Sequence, residues 1–445
     1  MPAIASLVLA AGHGTRMRSE TPKVLHKVGH LEMLGHCLKT ARALGAERLG
    51  VVIGAGGEKV KAALGSLDPQ AEIAVQDPPQ GTGDAVRAGM SVLEGFEGIV
   101  IVLYGDTPLL RLETLEALTK TVTDGAAIAV LGFETDEPGP YGRLVLGADG
   151  QLTRIVEAKD ASPEELAITL CNSGVMAMSS QALRTYLPQI TNENAKGEYY
   201  LTDLVGLASG AGEVLATVTG TEDEVLGVND RTELAAAEAI FQQRRRREVM
   251  LSGVTLIDPD TVYFSHDTEI GQDAVIHPNV VFGPGVKLAP KSEVRAFSHL
   301  EGAVMKSGSA AGPFARLREG TVLSEDAKVG NFVEIKKSVL GHGVKAGHLT
   351  YLGDAEIGAR TNIGAGTITC NYDGYNKHKT VIGEDAFIGS NASLVAPVTV
   401  GRGAFTGSGS VITKDVPDDA LSVARGRQMT KDGWATSFRK RNGDE

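Results

Sequence analysis

The sequence predicts an α/β domain with a mostly parallel sheet, then a long helix, then a left-handed parallel β-helix built from hexapeptide repeats. Short apolar runs alternate with amphipathic stretches in the first half of the chain, as they do in helix-covered parallel sheets. Apolar residues recur every six positions after residue 253, which is typical of a hexapeptide solenoid. Glycine accounts for 55 of the 445 residues and aromatic residues for only 5%. Both figures fit a thin solenoid with glycine at its corners.

The composition argues against several classes of protein. A net charge of −12 is unfavourable for a broad nucleic-acid or anionic-membrane surface, so neither partner is expected. The three cysteines, Cys37, Cys171 and Cys370, are far apart and odd in number. That pattern argues against a disulfide framework or a zinc site and indicates a reducing, cytoplasmic location. No apolar run approaches the roughly 18 residues of a membrane span.

Residues 1–231 are predicted to form the α/β domain, which we expect to be Rossmann-like. Buried strands are predicted at Ser6–Ala11, Arg48–Ile53, Ile73–Gln76, Ile99–Tyr104 and Ala127–Phe133. Helical spacing is found at Met33–Leu44, Gly83–Leu93 and Leu112–Val122. Because ligands of such sheets bind at the carboxyl ends of the strands, the loops that follow the strands are the first candidates for a site.

Residues 232–252 are predicted to form a helical linker. Asp230 and Glu233 have the spacing of a capping box at its start, and Gly253 is a plausible end. The run Arg244–Arg247 could bind an anion, but four consecutive positions spread around a helix. The prediction for this run is therefore a solvated face.

Residues 253–445 are predicted to form the β-helix and a polar tail. The apolar positions with a six-residue spacing are Ile270, Ile276, Phe282, Leu288 and Val294; Leu317, Leu323, Val329 and Ile335; Ile357 and Ile363; and Ile382, Ile388, Leu394 and Val400. One such residue in each hexad should point into a narrow core. The longest break in phase, Thr369–Thr380, is predicted to be a loop on the binding face.

The first candidate site is the glycine loop Leu9–Met17, which follows the first strand. Backbone N–H groups in such a loop can bind an anion, and Arg16 and Lys23 add positive charge suited to a triphosphate. The loop matches neither the P-loop nor the GxGxxG pattern. A tight turn beside two surface cations remains an equal alternative at this point.

Two further loops are candidates in the same domain. Asp106 follows the apolar strand Ile99–Tyr104, where a carboxylate is well placed to bind Mg²⁺. The loop Gln80–Asp84 has glycines that would let a base or phosphate approach closely. A simple Asx turn at Asp106 and a plain turn before a helix are the alternatives.

In the predicted β-helix, His348 is a candidate general base. Glu334 and Lys336 precede it by fourteen and twelve residues, which places them on a neighbouring coil if one coil contains about eighteen residues. A carboxylate that orients the imidazole would favour a catalytic role over a structural one. His342 and His378 are left without a role, and the histidines show no metal-ligand spacing.

Together these motifs resemble the bacterial family of bifunctional N-acetylglucosamine-1-phosphate uridyltransferases / glucosamine-1-phosphate N-acetyltransferases. The resemblance covers nearly the whole chain. Its most specific segments are Leu9–Met17, Tyr104–Asp106, Gly197–Asp203, Gly347–Ile357 and Asn362–Gly374.

The resemblance implies a uridylyl-transfer site in the first domain, with UTP, N-acetylglucosamine-1-phosphate and Mg²⁺ as ligands. Arg16 and Lys23 would act on the triphosphate, and Asp106 and Asn229 would bind Mg²⁺. The implied nucleotide and sugar ligands are Leu9, Ala10, Ala11, Gly12, Lys23, Gln76, Gly81, Thr82, Tyr104, Gly105, Asp106, Gly142, Glu157, Asn172 and Asn229.

The resemblance also implies an acetyl-transfer site in the β-helix, with glucosamine-1-phosphate and acetyl-CoA as substrates. His348 would be the general base, and Glu334 is the candidate for orienting it. Arg318, Lys336, Tyr351 and Asn362 would bind the sugar phosphate; Ala365, Asn371, Tyr372, Ser390, Ser408 and Arg425 would lie at the acetyl-CoA site. Ser408 stands where the family leads us to expect alanine, a change that such a pocket should tolerate.

Family members with this solenoid are homotrimers, so a trimer is expected. Two alternatives remain open at this stage. One is a single-activity sugar-1-phosphate nucleotidyltransferase with a structural or regulatory β-helix, although such a solenoid would not need His348, Glu334, Lys336 and Arg318. The other is a non-enzymatic scaffold, which the presence of Asp106 and Lys23 makes less favourable.

Overall fold

The computed structural model describes residues 2–12, 14–148 and 150–443. The chain divides into two compact units, Met1–Arg244 and Arg245–Glu445, so the division falls inside the segment predicted as the linker. His13, the variable position of the glycine loop, lies outside the described residues.

The first unit contains an α/β fold. Its strands are β1 (Ile4–Ala10), β2 (Lys27–Val28), β3 (Leu31–Glu32), β4 (Ala46–Gly54), β5 (Glu72–Gln76), β6 (Ile99–Tyr104), β7 (Ile128–Glu134), β8 (Arg143–Leu146), β9 (Leu152–Val156), β10 (Leu170–Ser179) and β11 (Leu215–Gly220). Its helices are α1 (Met33–Ala43), α2 (Glu58–Leu67), α3 (Thr82–Gly89), α4 (Leu112–Thr123), α5 (Pro163–Leu166), α6 (Ser180–Tyr186) and α7 (Asp203–Gly210), and α8 (Arg231–Leu251) begins in this unit. The five predicted strands and three predicted helices are confirmed, with ends shifted by a few residues.

The main sheet has the order β11-β7-β10-β6-β1-β4-β5. β10 is antiparallel to both β6 and β7, whereas β1 is parallel to β4 and β6 and β4 is parallel to β5. Four of the six pairings along this order are parallel, so the predicted parallel arrangement is confirmed in a sheet that β10 makes mixed. β1 and β6 are buried over almost their whole length, which explains why both are nearly continuous apolar runs. Their carboxyl ends lie side by side, since Leu9 pairs with Tyr104.

Helix α8 begins where the sequence predicts. The Asp230 carboxylate accepts hydrogen bonds from the backbone N–H groups of Thr232 and Glu233, at 2.9 and 3.0 Å. The Glu233 carboxylate accepts from the backbone N–H of Asn229 at 2.5 Å, so the cap also fixes the loop before the helix. Gly253, just beyond the helix, has φ +93°, as a glycine stop requires.

The prediction of a solvated face for Arg244–Arg247 is wrong for three of the four arginines. Arg244 donates to the backbone carbonyl of Leu109 at 2.7 Å, and Arg246 donates to that of Val262 at 2.9 Å. Arg245 donates to the carbonyl of Thr268. The guanidinium of a long arginine side chain can reach backbone carbonyls on any side of a helix and donate hydrogen bonds to them. The sequence pattern alone does not show which carbonyls lie nearby.

The second unit is a parallel β-helix of short strands. In chain order, β12 to β37 are Thr255–Leu256, Glu269–Ile270, Val275–Ile276, Val281–Phe282, Lys287–Leu288, Glu293–Val294, His299–Leu300, Ala303–Met305, Ala310–Ala311, Arg316–Leu317, Thr321–Leu323, Lys328–Asn331, Glu334–Lys336, Val339–Leu340, Lys345–His348, Tyr351–Gly353, Ala355–Ile357, Asn362–Ile363, Ile368–Cys370, Thr380–Ile382, Phe387–Ile388, Ser393–Val395, Val398–Val400, Phe405–Thr406, Val411–Ile412 and Leu421–Ser422. They form three sheets in which every third strand along the chain is a neighbour, from β12-β14-β17 onward, β13-β16-β19 onward and β15-β18-β21 onward. The predicted left-handed hexapeptide β-helix is confirmed.

The residues of the six-residue repeat form the core of this unit. All of them are buried except Ile270, which is partly buried and packs against the same cluster. Most neighbouring strands are offset by 17 or 18 residues, for example Val275 with Glu293 and Lys328 with Lys345. Ala355 and Thr380 are offset by 25 residues. That larger offset accommodates the predicted loop, which lies between β30 and β31.

The close approach of two strands predicts a strong effect of one small substitution. A Cβ at Gly330 would lie 1.8 Å from the backbone oxygen of Gly347 on the next coil, whereas a Cβ at Gly347 would meet no atom within 4 Å. We expect Gly330→Ala to lower the free energy of unfolding of the β-helix by about 2–3 kcal/mol. Gly347→Ala, the matched control, should change it by less than about 0.5 kcal/mol. Urea unfolding followed by circular dichroism measures both, and equal stabilities would contradict the prediction.

A final helix, α9 (Trp434–Asn442), presents stacked rings of Trp434 and Phe438 with centroids 5.0 Å apart. The three cysteines are unpaired, as predicted. Among the described residues, none of the helices combines the length and apolar character needed to traverse a lipid bilayer.

Candidate active sites

The first candidate site is a cavity of about 380 Å³ where β1 and β6 end. It is lined by Leu9, Ala10, Ala11, Gly12, Lys23, Val24, Gln76, Pro79, Gly81, Thr82, Ala85, Tyr104, Asp106 and Glu198. Ten of these residues are among the nucleotide and sugar ligands that the resemblance implies. Gly105 does not line the cavity, but its N–H donates to the carbonyl of Leu9 at 2.9 Å and so joins the ends of the two strands.

Two glycines of the glycine loop have different surroundings. Gly12 faces open space, whereas Gly14 packs against Lys23. A Cβ at Gly12 would meet no atom within 4 Å, so its backbone is open to a phosphate. Gly14 has φ +58°, and a Cβ there would lie 2.6 Å from the Cβ of Lys23. Only glycine therefore lets the loop close onto the lysine stem. Arg16 is exposed and does not line this cavity.

Lys23, Asp106 and Asn229 form a polar cluster at the cavity. The Lys23 ammonium donates to Oδ2 of Asp106 and, at 3.0 Å, to Oδ1 of Asn229. Both oxygens are thus within reach of one small cation, and the backbone N–H of Val228 donates to the Asp106 carbonyl at 2.9 Å. Mg²⁺ typically takes one or two protein oxygens and completes its shell with phosphates and water. This donor set fits that ion, and no cluster of three or more His, Cys, Asp or Glu suited to a metal occurs in the described part of the chain.

The same cavity is also lined by a fixed amide. Gln76 is buried, and its Nε2 donates to the carbonyl of Gly81 at 3.0 Å and to Oδ2 of Asp84 at 2.7 Å. Gly81 has φ +112°, and a Cβ there would lie 2.6 Å from the carbonyl oxygen of Tyr199. The Gln76 amide and the backbone at Gly81 are therefore held in fixed orientations. Polar groups held in this way are suited to hydrogen bonding with the edge of a nucleotide base.

A second cavity, of about 250 Å³, shares Thr82, Tyr104 and Glu198 with the first. Gly142, Glu157 and Asn172 line it, as the resemblance implied for the sugar. Burial raises the pKa of Glu157, and Thr202 Oγ1 donates to its carboxylate at 3.3 Å. Sequence reasoning missed several other lining residues, namely Pro140, Tyr141, Ser173, Gly174, Lys196, Glu198, Tyr200 and Thr202. Three of them, Glu198, Tyr200 and Thr202, lie in the motif Gly197–Asp203, in which the sequence analysis gave no residue a role.

In the β-helix, His348 is exposed and is oriented by an amide. Its Nδ1 donates to Oδ1 of Asn331 at 2.6 Å, so the other ring nitrogen, Nε2, can accept a proton. The predicted partner, Glu334, instead accepts from Arg318 at 2.8 Å. The strand register explains the difference, because His348 lies opposite Asn331 and Glu334 lies opposite Tyr351.

Positive charge collects around Lys336 in the same unit. The pKa of Lys336 is lowered, chiefly by the charge of Lys377 and then by Arg318, so three cations lie close enough to repel one another. Such a group favours a phosphate dianion. Lys377 was missed because it lies in the loop that breaks the repeat, where no pattern assigns a position. Asn362 lies on β29, the next strand beside the histidine strand β26.

Four of the six residues assigned to acetyl-CoA, namely Ala365, Ser390, Ser408 and Arg425, follow one corner of the solenoid. The backbone N–H of Gly366 donates to the carbonyl of Leu349, that of Asn391 to Ala365, and that of Gly409 to Ser390. Arg425 then donates to the carbonyl of Ser408 at 2.8 Å. The column thus begins beside His348 and ends at a guanidinium. Asn371 is buried and donates to Asp354 at 2.5 Å, and Tyr372 is exposed in the inserted loop.

Comparison with known proteins finds a family match in each of the two units. Residues 6–194 match the MobA-like NTP transferase domain family, and residues 379–414 match the bacterial transferase hexapeptide family. The chain is 56% identical over 433 residues to the bifunctional protein GlmU of Paracoccus denitrificans, covering 97% of this chain and 96% of the relative. It is 56% identical to that of Hyphomonas neptunium, over 99% and 96%, and 49% identical to that of Zymomonas mobilis, over 98% and 97%. This chain belongs to the bifunctional GlmU family.

Membership of the GlmU family defines the two reactions. The protein acetylates glucosamine-1-phosphate with acetyl-CoA and transfers UMP from UTP to N-acetylglucosamine-1-phosphate, with release of pyrophosphate and with Mg²⁺ as the metal. It therefore takes part in UDP-N-acetylglucosamine biosynthesis, which supplies peptidoglycan and lipid A precursors. The single-activity alternative is not favoured, since relatives called bifunctional align over nearly the whole chain.

Proposed function

We propose that the two GlmU reactions occur at two separate sites, uridylyl transfer in the first unit and acetyl transfer in the β-helix unit. One observation supports the first assignment above others: ten of the nucleotide and sugar ligands that the resemblance implies line a single cavity. The experiment is to follow pyrophosphate and free thiol separately. Each product should form without the substrates of the other reaction, and strict dependence of either on both substrate pairs would contradict two independent sites.

At the first site, an oxygen of the sugar phosphate attacks the α-phosphorus of UTP and pyrophosphate leaves. This reaction needs alignment and charge neutralisation rather than covalent help. The glycine loop and Lys23 hold the triphosphate, and Arg16 meets it from the exposed side of the loop. Gln76, Gly81 and Thr82 orient the base. Mg²⁺, held by Asp106 and Asn229, supplies additional positive charge to the phosphates when it is bound.

The sugar cavity sets the position of the attacking group. Gly142, Glu157 and Asn172 bind N-acetylglucosamine, and Thr202 holds the carboxylate of Glu157 in place. Since Thr82, Tyr104 and Glu198 line both cavities, the sugar phosphate and the triphosphate are brought together beside these three residues. Such positioning supplies much of the rate gain in phosphoryl transfer.

At the second site, Nε2 of His348 takes a proton from the amino group of glucosamine-1-phosphate. The freed amine attacks the thioester carbonyl of acetyl-CoA, the carbon–sulfur bond breaks, and coenzyme A leaves as the thiol after accepting a proton. Arg318, Lys336, Tyr351 and Asn362 bind the sugar phosphate. Ala365, Asn371, Tyr372, Ser390, Ser408 and Arg425 line the path of acetyl-CoA.

The hydrogen bond between His348 and Asn331 predicts a split between kcat and KM. Asn331→Ala should lower kcat of acetyl transfer about 10- to 100-fold, because the imidazole loses the partner that fixes its tautomer and orientation. Its KM for glucosamine-1-phosphate should change little. Glu334→Gln, the comparison variant, should mainly raise that KM, since Glu334 holds Arg318. Steady-state kinetics measure both, and a kcat loss confined to Glu334→Gln would restore Glu334 as the orienting group.

We also propose that the protein is a homotrimer whose acetyl-transfer sites are shared between neighbouring copies. A column of exposed apolar residues supports this: Phe297, Phe314 and Phe332 stack with ring centroids 5.0 and 5.1 Å apart and are 55, 45 and 56% exposed. Leu349, 62% exposed, continues the column and directly follows His348. Exposed apolar patches of this kind mark protein interfaces, and this one adjoins the catalytic base.

Phe332→Asp tests the trimer. Phe332 has φ +56°, a conformation that aspartate tolerates, so the variant should fold. We expect it to sediment as smaller species in analytical ultracentrifugation, to lose acetyl transfer, and to keep uridylyl transfer. Phe405→Asp, in a different exposed stack with Phe387, serves as the control. A Phe332→Asp variant with wild-type mass and full acetyl transfer would contradict the proposal.

Finally, we propose that the protein acts in the cytoplasm. Its three cysteines are unpaired, which suits a reducing compartment. Its substrates UTP and acetyl-CoA are cytoplasmic metabolites.

A further inference from the structure

Lys23 contacts the same two oxygens that are assigned to the metal. Its ammonium donates to Oδ2 of Asp106 and to Oδ1 of Asn229. The Lys23 side chain is only 11% exposed and that of Asp106 only 21%, so the contact is shielded from water. A Mg²⁺ ion bound to both oxygens would lie at about 2.0–2.1 Å from each. It would overlap the ammonium, and two cations so close repel strongly.

We propose that the Lys23 ammonium and Mg²⁺ compete for Asp106 and Asn229, so that metal binding requires Lys23 to leave. This inference rests on the proposed assignment of Asp106 and Asn229 as metal ligands. It adds a second role to a lysine so far assigned only to the triphosphate.

The structure also provides a destination for the displaced lysine. Lys23 lines the same cavity as the open backbone of Gly12, where the triphosphate is proposed to bind. Phosphate oxygens there would draw the ammonium away from Asp106 by charge-assisted hydrogen bonds. The triphosphate and the metal therefore favour each other's binding, and this coupling is reciprocal. Without nucleotide, free metal must expel the lysine and binds weakly.

The two oxygens do not need the lysine to keep their positions. The backbone at Asp106 is tied to Val228, whose N–H donates to the Asp106 carbonyl at 2.9 Å. The backbone N–H of Asn229 donates to Glu233 at 2.5 Å, at the start of helix α8. Removing the ammonium should therefore leave a metal site that is still organised and no longer occupied by a competing charge.

The first test measures Mn²⁺ binding to the nucleotide-free, full-length protein, with unbound Mn²⁺ read by electron paramagnetic resonance. Lys23→Met should bind Mn²⁺ at least about tenfold more tightly than the wild type, a change of roughly 1.4 kcal/mol. Lys27→Met is the matched control, because Lys27 forms only an exposed ion pair with Glu32 at 3.3 Å. It should leave the affinity unchanged.

Two outcomes would overturn the inference, and the double variant Lys23→Met with Asp106→Asn tells them apart. If Lys23→Met binds no more tightly than the wild type while the double variant loses binding, the metal ligands are right and the competition is wrong. If the double variant binds Mn²⁺ as well as Lys23→Met does, the metal assignment itself fails.

A second measurement uses the unaltered protein and so does not depend on the folding of a variant. A small water-soluble acylating reagent modifies lysines, and mass spectrometry gives the rate at each position. Addition of Mg²⁺ should increase the modification rate of Lys23 several-fold, because the metal releases it from Asp106, while the rate at Lys27 stays constant. An unchanged or reduced rate at Lys23 at saturating Mg²⁺ would contradict the inference.

Discussion

Replacing His348 by alanine should lower the rate of acetyl transfer about 10²–10⁴-fold and leave uridylyl transfer at the wild-type rate. The side chain is exposed and contributes nothing to the β-helix core, so the fold should survive its loss. Its Nδ1 is engaged by Asn331 at 2.6 Å, and only Nε2 remains to accept the proton of the substrate amine. General-base catalysis of this kind contributes about 10²–10⁴-fold, and we expect the rate of thiol release to fall by that factor.

The matched control for this prediction is His342→Ala. His342 is also exposed on the β-helix, and its Nδ1 lies 3.9 Å from Asp326, at the limit of an ion pair. Neither His342 nor Asp326 is an assigned site residue, so thiol release should be retained. Thiol and pyrophosphate release measured separately check both variants. Loss of both activities in a folded, correctly assembled His348→Ala protein would refute the two-site assignment.

Replacing Asp106 by alanine should have the converse effect. The substitution removes the Asp106 carboxylate, which is both one of the two assigned metal ligands and the partner of Lys23. The positive charges of the metal and of Lys23 are then no longer held in place beside the phosphates. Loss of one such electrostatic group costs about 10²–10³-fold in rate. We expect pyrophosphate release to fall by at least this factor, with thiol release unchanged because the acetyl-transfer residues lie in the other unit.

Asp124→Ala is the control for the metal variant. Asp124 follows helix α4 and forms an exposed ion pair with Lys120 at 2.5 Å. It is not one of the assigned site residues. Its removal should leave both reactions unchanged. The assay is pyrophosphate release as a function of Mg²⁺ concentration, and a wild-type Mg²⁺ dependence in Asp106→Ala would refute the metal assignment.

Patterns within a few neighbouring residues of the sequence predicted the secondary structure of those residues well. Continuous apolar runs became β1 and β6, since a strand that is buried on both faces has no polar positions to alternate. Six-residue spacing became the core of the β-helix, because one side chain in each hexad must fill a narrow interior. In both cases the signal lies within a few residues of the element that it predicts.

The failures share a physical cause, which is dependence on register or on distant contacts. The orienting partner of His348 was predicted as Glu334, but a 17-residue offset between coils places Asn331 opposite the histidine. A shift of one residue changes which side chains are neighbours on a strand. The arginine run Arg244–Arg246 was predicted to be solvated, yet each of its members meets a backbone carbonyl that only the fold brings near.

The sequence by itself determined the two fold classes and the glycine loop, and its family resemblance implied ten of the residues that line the first cavity. These depend on periodicity and on short motifs, which are properties of neighbouring positions. Only the tertiary structure decided that Lys23 meets Asp106 and Asn229, which are 83 and 206 positions away along the chain. Such a contact depends on where the strands end in space and on how the cap of α8 holds Asn229, and no local pattern encodes either.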